Sequence, residues 1–552
     1  MPLPLTARLQ RAAERSGATV TFINGPERVT VPWAQLHEEA SAVAATLQAR
    51  GIAPGDHVAI LGPTSRGLVT TIQGCWLAGA ASMVLPLPMR MGSIQEFVDS
   101  TRSRIRHGDA KLLLIDDQLA PFYEATDGDP PMASLSSVQP APGNPPASAL
   151  QLPAPDPERL VILQYTSGST SEPKGVMIPD RVLGANLDAL TQAAQMDVET
   201  DVMVSWLPLY HDMGLVGMLT TSMAFGLDLV QAAPQDFLAH PGHWLEWIST
   251  YRGTATAGPN FAWVLAARAL RRMEGLDLSS LRIALNGAEP IDPDAVEAFT
   301  AAAAPFGFRP GAVFCAFGMA EVGIAGTFPE PLRGLRCDAV DRVVLEEKRV
   351  AEPADPRLDG TRRLPMLGQP VPGLEVRIVE PSTGEALSER QVGELVIRGT
   401  SVTPGYYKRP DATAELLRDG WLHTGDLGYL LDGELVLCGR IKDVIIVGGR
   451  NVFPEDIERA VGTVDGVRAG NVIAFGVDGY KGKESVVVVA ETRGGDDAVL
   501  LRAIHERVLQ AVGLPAREVM LVQPGSLPKT SSGKLQRALC KERYLNEELL
   551  VV

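Results

Sequence analysis

The sequence predicts an α/β protein, and three observations carry that expectation. Short, nearly continuous apolar runs recur at residues 57–61 (HVAIL), 111–115 (KLLLI), 160–164 (LVILQ) and 281–285 (LRIAL). Stretches with helical spacing of apolar residues separate them. From Gly393 onward the texture changes to shorter, alternating strands. Apolar runs without alternation suit parallel strands that are covered on both faces, which is what interleaved helices provide.

Taken in order, residues 33–50 predict a helix, with Leu36, Ala40, Val43 and Leu47 on one face and Gly51 ending it. Residues 67–89 carry no charge and are long enough, at about 20 residues, to cross a bilayer. Thr70, Thr71, Gln73, Gly74, Gly79 and Ser82 dilute their hydrophobicity and Pro86 and Pro88 break their end, so a buried helix followed by a short strand is expected instead of a transmembrane segment. Residues 130–157, rich in Pro, Ala and Ser without periodicity, predict an exposed connection. GELVIRG at 393–399 and GELVLCGR at 433–440 predict a β-rich part, followed by a small α/β tail from about Ile441.

With 552 residues, the chain exceeds one ordinary domain of about 100–200 residues several-fold. Its 45% hydrophobic and 21% charged content is that of a globular protein. A net charge of −16 argues against nucleic acid, whose phosphates need a basic face. Residues 441–552 hold 15 Lys+Arg and 15 Asp+Glu, so the preceding residues carry the whole negative balance. The relatively basic tail would suit an acidic partner, and ordinary variation between domains accounts for it equally well. Cys75, Cys315, Cys337, Cys438 and Cys540 are odd in number, dispersed and without a CxxC pair, which predicts a reducing, cytoplasmic location. The N-terminus lacks the pattern of a secretory signal.

The residues that carry chemistry begin at 165–175, YTSGSTSEPKG, directly after the run LVILQ. Small hydroxyl and glycine residues with one lysine can bring backbone N–H groups, hydroxyls and a positive charge up to a polyphosphate. The alternative is a flexible Ser/Gly turn, and the pattern is not the GxxxxGK[ST] loop. Seven further blocks follow: SWLPLYHDMGL (205–215), NGAEP (286–290), FGMAE (317–321), GELVIRG, GWLHTGDLG (420–428), GRIKDVIIVGGRNVFPEDIE (439–458) and PKTSSGKLQR (528–537). In this order they resemble the adenylate-forming superfamily of acyl-CoA synthetases, adenylation domains and luciferases. Within it, GPNFAW (258–263), NGAEP, GRNVFPEDIE and the 46 residues between Glu321 and Gly368 are most similar to the fatty acyl-AMP ligases.

The resemblance implies a large adenylation domain of stacked mixed sheets and helices over residues 1–440, closing in the β-rich part, and a small mobile α/β domain over 441–552 with a hinge near Lys442. It implies ATP phosphate contacts at Thr166, Ser167, Gly168, Ser169, Thr170 and Lys174. Adenine and ribose would be framed by Asn286, Gly287, Ala288, Glu289, Phe317, Gly318 and Met319, with Asp426 accepting from the ribose hydroxyls and Arg440 nearby. Glu321 would hold Mg2+ as a hard oxygen ligand. Lys534 would reach the α-phosphate and the attacking carboxylate together. His211 would border the carboxylate entrance; a packed core histidine is the alternative. Acyl-pocket candidates are Met213, Met218, Gly258 and Met319.

Three positions depart from the family pattern. Ser171 replaces a common Gly, Phe317 a common Tyr, and Asp180-Arg181 stands where a His is frequent. The implied reaction converts a fatty acid and ATP to acyl-AMP and pyrophosphate, then passes the acyl group to the phosphopantetheine thiol of an acyl carrier protein. Coenzyme A as acceptor, or a silent nucleotide- or carrier-binding scaffold, are the alternatives.

Overall fold

A computed structural model describes residues 2–14, 17–87, 94–165, 173–479, 484–494, 496–530 and 533–549. The uncharged stretch shows why it folds as a core element. Ser65 caps helix Arg66–Leu77 by accepting from the Leu68 N–H. Buried Thr70 and Thr71 spend their hydroxyls on the carbonyls of Arg66 and Gly67, each at 2.7 Å, so neither leaves an unpaired polar group inside. A Cβ at Gly74 would lie 2.6 Å from Val43 Cγ1, so the glycine lets this helix close on helix Trp33–Ala49. Strand Ala81–Val84 follows, and no helix among the described residues is long and apolar enough to cross a membrane.

Two large sheets hold the main core. In the first, strands Met132–Ser134, Ala110–Ile115, His57–Leu61, Ala81–Val84 and Leu160–Tyr165 run parallel, and Gly175–Pro179 closes the edge antiparallel. In the second, Val313–Cys315, Ile283–Asn286, Ala255–Gly258, Val202–Ser205, Asp228–Ala232 and Thr19–Asn24 are parallel, with Glu27–Pro32 added as a hairpin.

Three expectations need correction. The strand expected at 281–285 runs from Ile283 to Asn286, because Leu281 belongs to a turn bonded to Leu278 while Asn286 pairs with Gly258 and Cys315. Residues 130–157 are not wholly an exposed connection: Met132–Ser134 extends the first sheet, and Leu135 and Val138 are buried. The antiparallel sheet begins before 393, since Leu374–Val379 pairs with Gly393–Gly399, which pairs in turn with Trp421–Leu431.

A separate C-terminal domain has its own core, running from Ile445 to Leu521. Strands Val467–Asp478, Glu484–Thr492 and Ala516–Val522 form its sheet, with helices Pro454–Val461 and Asp497–Val512 packed on each other. The segment between Glu321 and Gly368 holds hairpin strands Cys337–Asp341 and Thr361–Pro365, with helix Arg342–Lys348 after the first. It is tied to the C-terminal domain by Arg450 on buried Glu346 (Nε–Oε2 2.5 Å) and by Arg362 on Asp456 (2.9 Å).

Candidate active site

In parallel α/β sheets, ligands gather beyond the carboxyl ends of the strands, and here both large sheets point such ends at one cavity of about 2250 Å3. An ordinary ligand pocket measures about 300–1000 Å3. The excess reflects three joined parts: a polar end, an apolar arm, and a groove reaching the C-terminal domain.

The first sheet contributes strand Leu160–Tyr165, whose end leads into residues 166–172. Thr166, Ser167, Gly168, Ser169, Thr170 and Ser171 lie outside the described residues. Lys174 lines the cavity, its Nζ 5.5 Å from the centre of the Tyr406 ring. The second sheet contributes the loop after Asn286. Gly287 is needed because a Cβ there would lie 3.0 Å from the Ala316 carbonyl. Ala288 adopts left-handed backbone (φ +69), a strained conformation that turns the chain at the cavity wall. Gly287, Ala288, Glu289, Phe317, Gly318 and Met319 line the cavity. Asn286 does not: it is buried and donates to Asn260 Oδ1 at 3.1 Å, so it anchors the loop from behind.

Glu321 sits in a 3-10 turn (Ala320–Val322), buried at the cavity edge. The Tyr406 hydroxyl donates to its Oε1 at 2.7 Å. Burial raises the Glu321 carboxyl above its ordinary range, and the Tyr406 hydrogen bond opposes that rise. Asn186 holds the next turn by accepting from the N–H groups of Ile324 and Ala325 and donating to the Ala325 carbonyl. Gly323, with φ +91, leaves room for it. Among the described residues no group of three or more His, Cys, Asp or Glu could hold a metal. A lone carboxylate of this kind fits Mg2+ held mainly by phosphate and water, to which Glu321 would contribute an oxygen ligand.

Asp426 and Arg440 face each other across strands Trp421–Leu431 and Glu434–Arg440, with Arg440 Nε 2.7 Å from Asp426 Oδ1. Burial raises the Asp426 carboxyl and Arg440 counters it. Lys442, two residues on, is exposed at the cavity rim.

The C-terminal domain places Lys534 in the same cavity. Its N–H donates to Thr530 Oγ1 at 3.0 Å and its carbonyl accepts from the Thr530 N–H at 2.8 Å, closing a tight loop. Burial pulls the Lys534 ammonium below its ordinary range, opposed first by Asp212 and then by Glu289. Asp212 is itself buried, and burial would raise it, but His211 and Lys534 hold it below the usual carboxylate range. His211 Nδ1 lies 2.7 Å from Asp212 Oδ1. Glu289 Oε1 accepts from the Phe261 N–H at 2.7 Å. The C-terminal lysine, a histidine and two carboxylates therefore converge where the polar end meets the apolar arm.

The apolar arm is walled by an eight-residue π-helix, Met213–Thr220. Such wide turns are rare and recur at functional sites. Thr220 and Thr221 hydroxyls donate to carbonyls five residues back, Leu215 and Val216, which supports the wide turn. Gly214 is required, because a Cβ there would meet the Pro208 carbonyl oxygen at 2.3 Å. Met213, Met218 and Met319 line the cavity. Gly258 does not; its α-carbon packs against Trp244, where a Cβ would come within 3.0 Å of the ring.

The sequence reading missed Asp212, Tyr406 and Asn186. Asp212 was within reach, being the neighbour of His211 in a quoted block. Tyr406 lies 85 residues from Glu321 and Asn186 lies 139 from Ala325, so no local signal marks either.

Lys174 after the strand end, a carboxylate facing an arginine on paired strands, and a lysine delivered by a second domain line one cavity, and the comparisons define the class of enzyme to which this arrangement belongs. The chain belongs to the AMP-binding enzyme family, whose model matches residues 9–407; residues 442–552 match the AMP domain of Disco-interacting protein 2-like proteins. It is 40% identical over 539 residues to Rv1013 of Mycobacterium tuberculosis, covering 94% of this chain and 96% of that protein. It is 32% identical to the medium-chain-fatty-acid–[acyl-carrier-protein] ligase JamA of Moorena producens, covering 95% and 92%. A solved structure from work on fatty acyl-adenylate ligases of E. coli and L. pneumophila superposes with a TM-score of 0.91 at 32% identity, covering 99% of this chain and 98% of that one.

Proposed function

We propose that this protein activates a fatty acid with ATP, releasing pyrophosphate to form acyl-AMP, and then passes the acyl group to the phosphopantetheine thiol of an acyl carrier protein. The observation that carries the reading is the meeting of Lys534, Asp212, His211 and Glu289 at the junction of the nucleotide end and the apolar arm. In the first step a carboxylate oxygen bonds to the α-phosphorus and the bond to pyrophosphate breaks. Negative charge gathers between the two reactants, where Lys534 is placed to neutralise it. The charges of Asp212 and Glu289 favour the ammonium form there. Asp426 offers the ribose a carboxylate acceptor, and Glu321 would ligate Mg2+, which when bound supplies charge neutralisation to the phosphates.

In the second step the thiol sulfur bonds to the acyl carbon and AMP leaves. Lys534 must then withdraw, and rotation of the C-terminal domain about Lys442 would clear the groove for the pantetheine arm. The likeness to a carrier-protein ligase supports the acceptor.

The test is mass spectrometry of products from the purified protein with Mg·ATP and fatty acids of graded length, offered either coenzyme A or holo carrier protein. Acyl-AMP that moves only to the carrier is expected. Efficient acyl-CoA formation would make the protein a synthetase, and no adenylate with any acid would overturn the reading.

A further inference from the structure

One side chain borders both the apolar arm and a second, smaller hollow. On the arm's side lie Leu190, Ala194, Met203, Met218 and Thr221. Next to them is a hollow of about 230 Å3, open to solvent on the side of exposed Gln192 and lined also by Thr191, Met196, Val198, Phe225 and Leu227. Among the described residues, Met196 alone lines both. The alternation follows from the last turn of helix Asp180–Ala193 and its exit: Leu190 and Ala194 face the arm, Thr191 and Gln192 the space behind it.

The turn that carries Met196 is held firmly. Gln195 adopts left-handed backbone (φ +49), and the Met196 N–H returns to the Thr191 carbonyl at 2.9 Å. Arg282, paired with Asp201, donates to the carbonyls of Ala194 (2.9 Å) and Gln195 (3.0 Å) and approaches Met196 Sδ at 3.4 Å. Asp201 in turn accepts from Thr254 Oγ1 at 2.6 Å and from the Asp197 N–H at 2.7 Å. The backbone is therefore fixed while the unbranched thioether lies between the two spaces, a place for which methionine is suited.

With the carboxylate end anchored at Lys534, a fixed floor sets how many methylenes fit. We propose that Met196 is the chain-length plug of the acyl arm, and that the cavity behind it is a distal compartment for the ω-end of a longer alkyl chain. This rests on the fatty-acid reading above.

The test measures kcat/KM for acyl-AMP formation across saturated fatty acids of graded length in the wild type, Met196→Ala, and Met196→Ala combined with Val198→Trp, which refills the compartment. Met196→Ala should move the longest efficiently used acid up by several carbons. The ratio of long-acid to short-acid kcat/KM should rise about four-fold for each methylene newly accommodated. Val198→Trp should reverse that gain. Because the readout is a ratio within one variant, general loss of active protein does not mimic it, and Met196→Val, a milder truncation, should move the limit in the same direction. An unchanged length profile in active Met196→Ala would overturn the plug, an extension that survives Val198→Trp would overturn the distal compartment, and neither result touches the fatty-acid reading. A wild type inert with every fatty acid but active on another carboxylate would remove the fatty-acid reading and this inference with it.

Discussion

At the scale of single residues, the site is a set of ionisable groups whose charges are set by a few neighbours. Burial disfavours the Lys534 ammonium, and the charges of Asp212 and Glu289 oppose that effect. Lys534→Ala should therefore lower acyl-AMP formation by at least about 100-fold, the usual loss for one preorganised charge contact. ATP binding, followed by thermal shift, should persist; wild-type adenylation by this variant would remove Lys534 from the chemistry. Tyr406 supplies a subtler test. Burial raises Glu321 and the Tyr406 hydroxyl restrains it, so Tyr406→Phe should raise that carboxyl further. If ionised Glu321 supports the reaction, activity is lost as pH falls through its pKa. The acid limb of the pH–rate profile should then move to higher pH in the variant, and an unmoved limb would refute the tuning.

At the scale of elements, the loop bearing Lys534 is anchored through Arg537, the first residue of helix Arg537–Leu545. Arg537 pairs with Asp443, next to Lys442, and with Glu455 and Glu458 of helix Pro454–Val461, at 3.5 and 3.0 Å for the two glutamates. Burial drives Glu455 upward from its ordinary value of 4.5, with Arg537 opposing. The folded state thus holds this proton more tightly than the unfolded chain does. The associated stability is fully present below the ordinary value and is lost as pH rises through the raised one. Glu455→Gln cannot titrate, so its Tm should fall less than that of the wild type between about pH 5 and about pH 8. Parallel Tm curves over that range would show that Glu455 does not titrate there.

At the scale of the whole molecule, two domains share one cavity, and the interface holds charges that are costly to bury unpaired. Glu346 is fully buried and depends on Arg450, with Arg342 farther off at 3.6 Å. Separating the domains would leave it exposed to water or newly partnered, so this contact weighs on any rotation. Lys442 lies between strand Glu434–Arg440 and hairpin strand Ile445–Val447 and is exposed at the cavity rim. Lys442→Pro would fix the backbone there at φ of about −65°. If that peptide is the hinge, the substitution should favour one domain orientation and impair one half-reaction more than the other, measured as acyl-AMP formation against transfer to the carrier. Equal loss in both would argue against a hinge at this position.

Local sequence determined the elements and the short motifs, because each depends on neighbours within a few residues. The runs at 57–61, 111–115 and 160–164 became strands, the uncharged stretch became a buried helix and strand, and residues 33–50 became a helix. Motif spelling also marked Lys534, Glu321, Asp426 and Phe317 as candidates. Where local signal was weak, boundaries slipped: the expected strand at 281–285 began two residues late, and the antiparallel sheet reached back to Leu374. Only tertiary structure decided which groups face each other. It brought Asp212 and Lys534 into one cavity and Tyr406 against Glu321, turned Asn286 and Gly258 away from the cavity, and put Met196 in the lining of two spaces. The reason is physical: periodicity records which side of an element is buried, whereas contacts between residues far apart in the sequence arise only when whole sheets and helices pack.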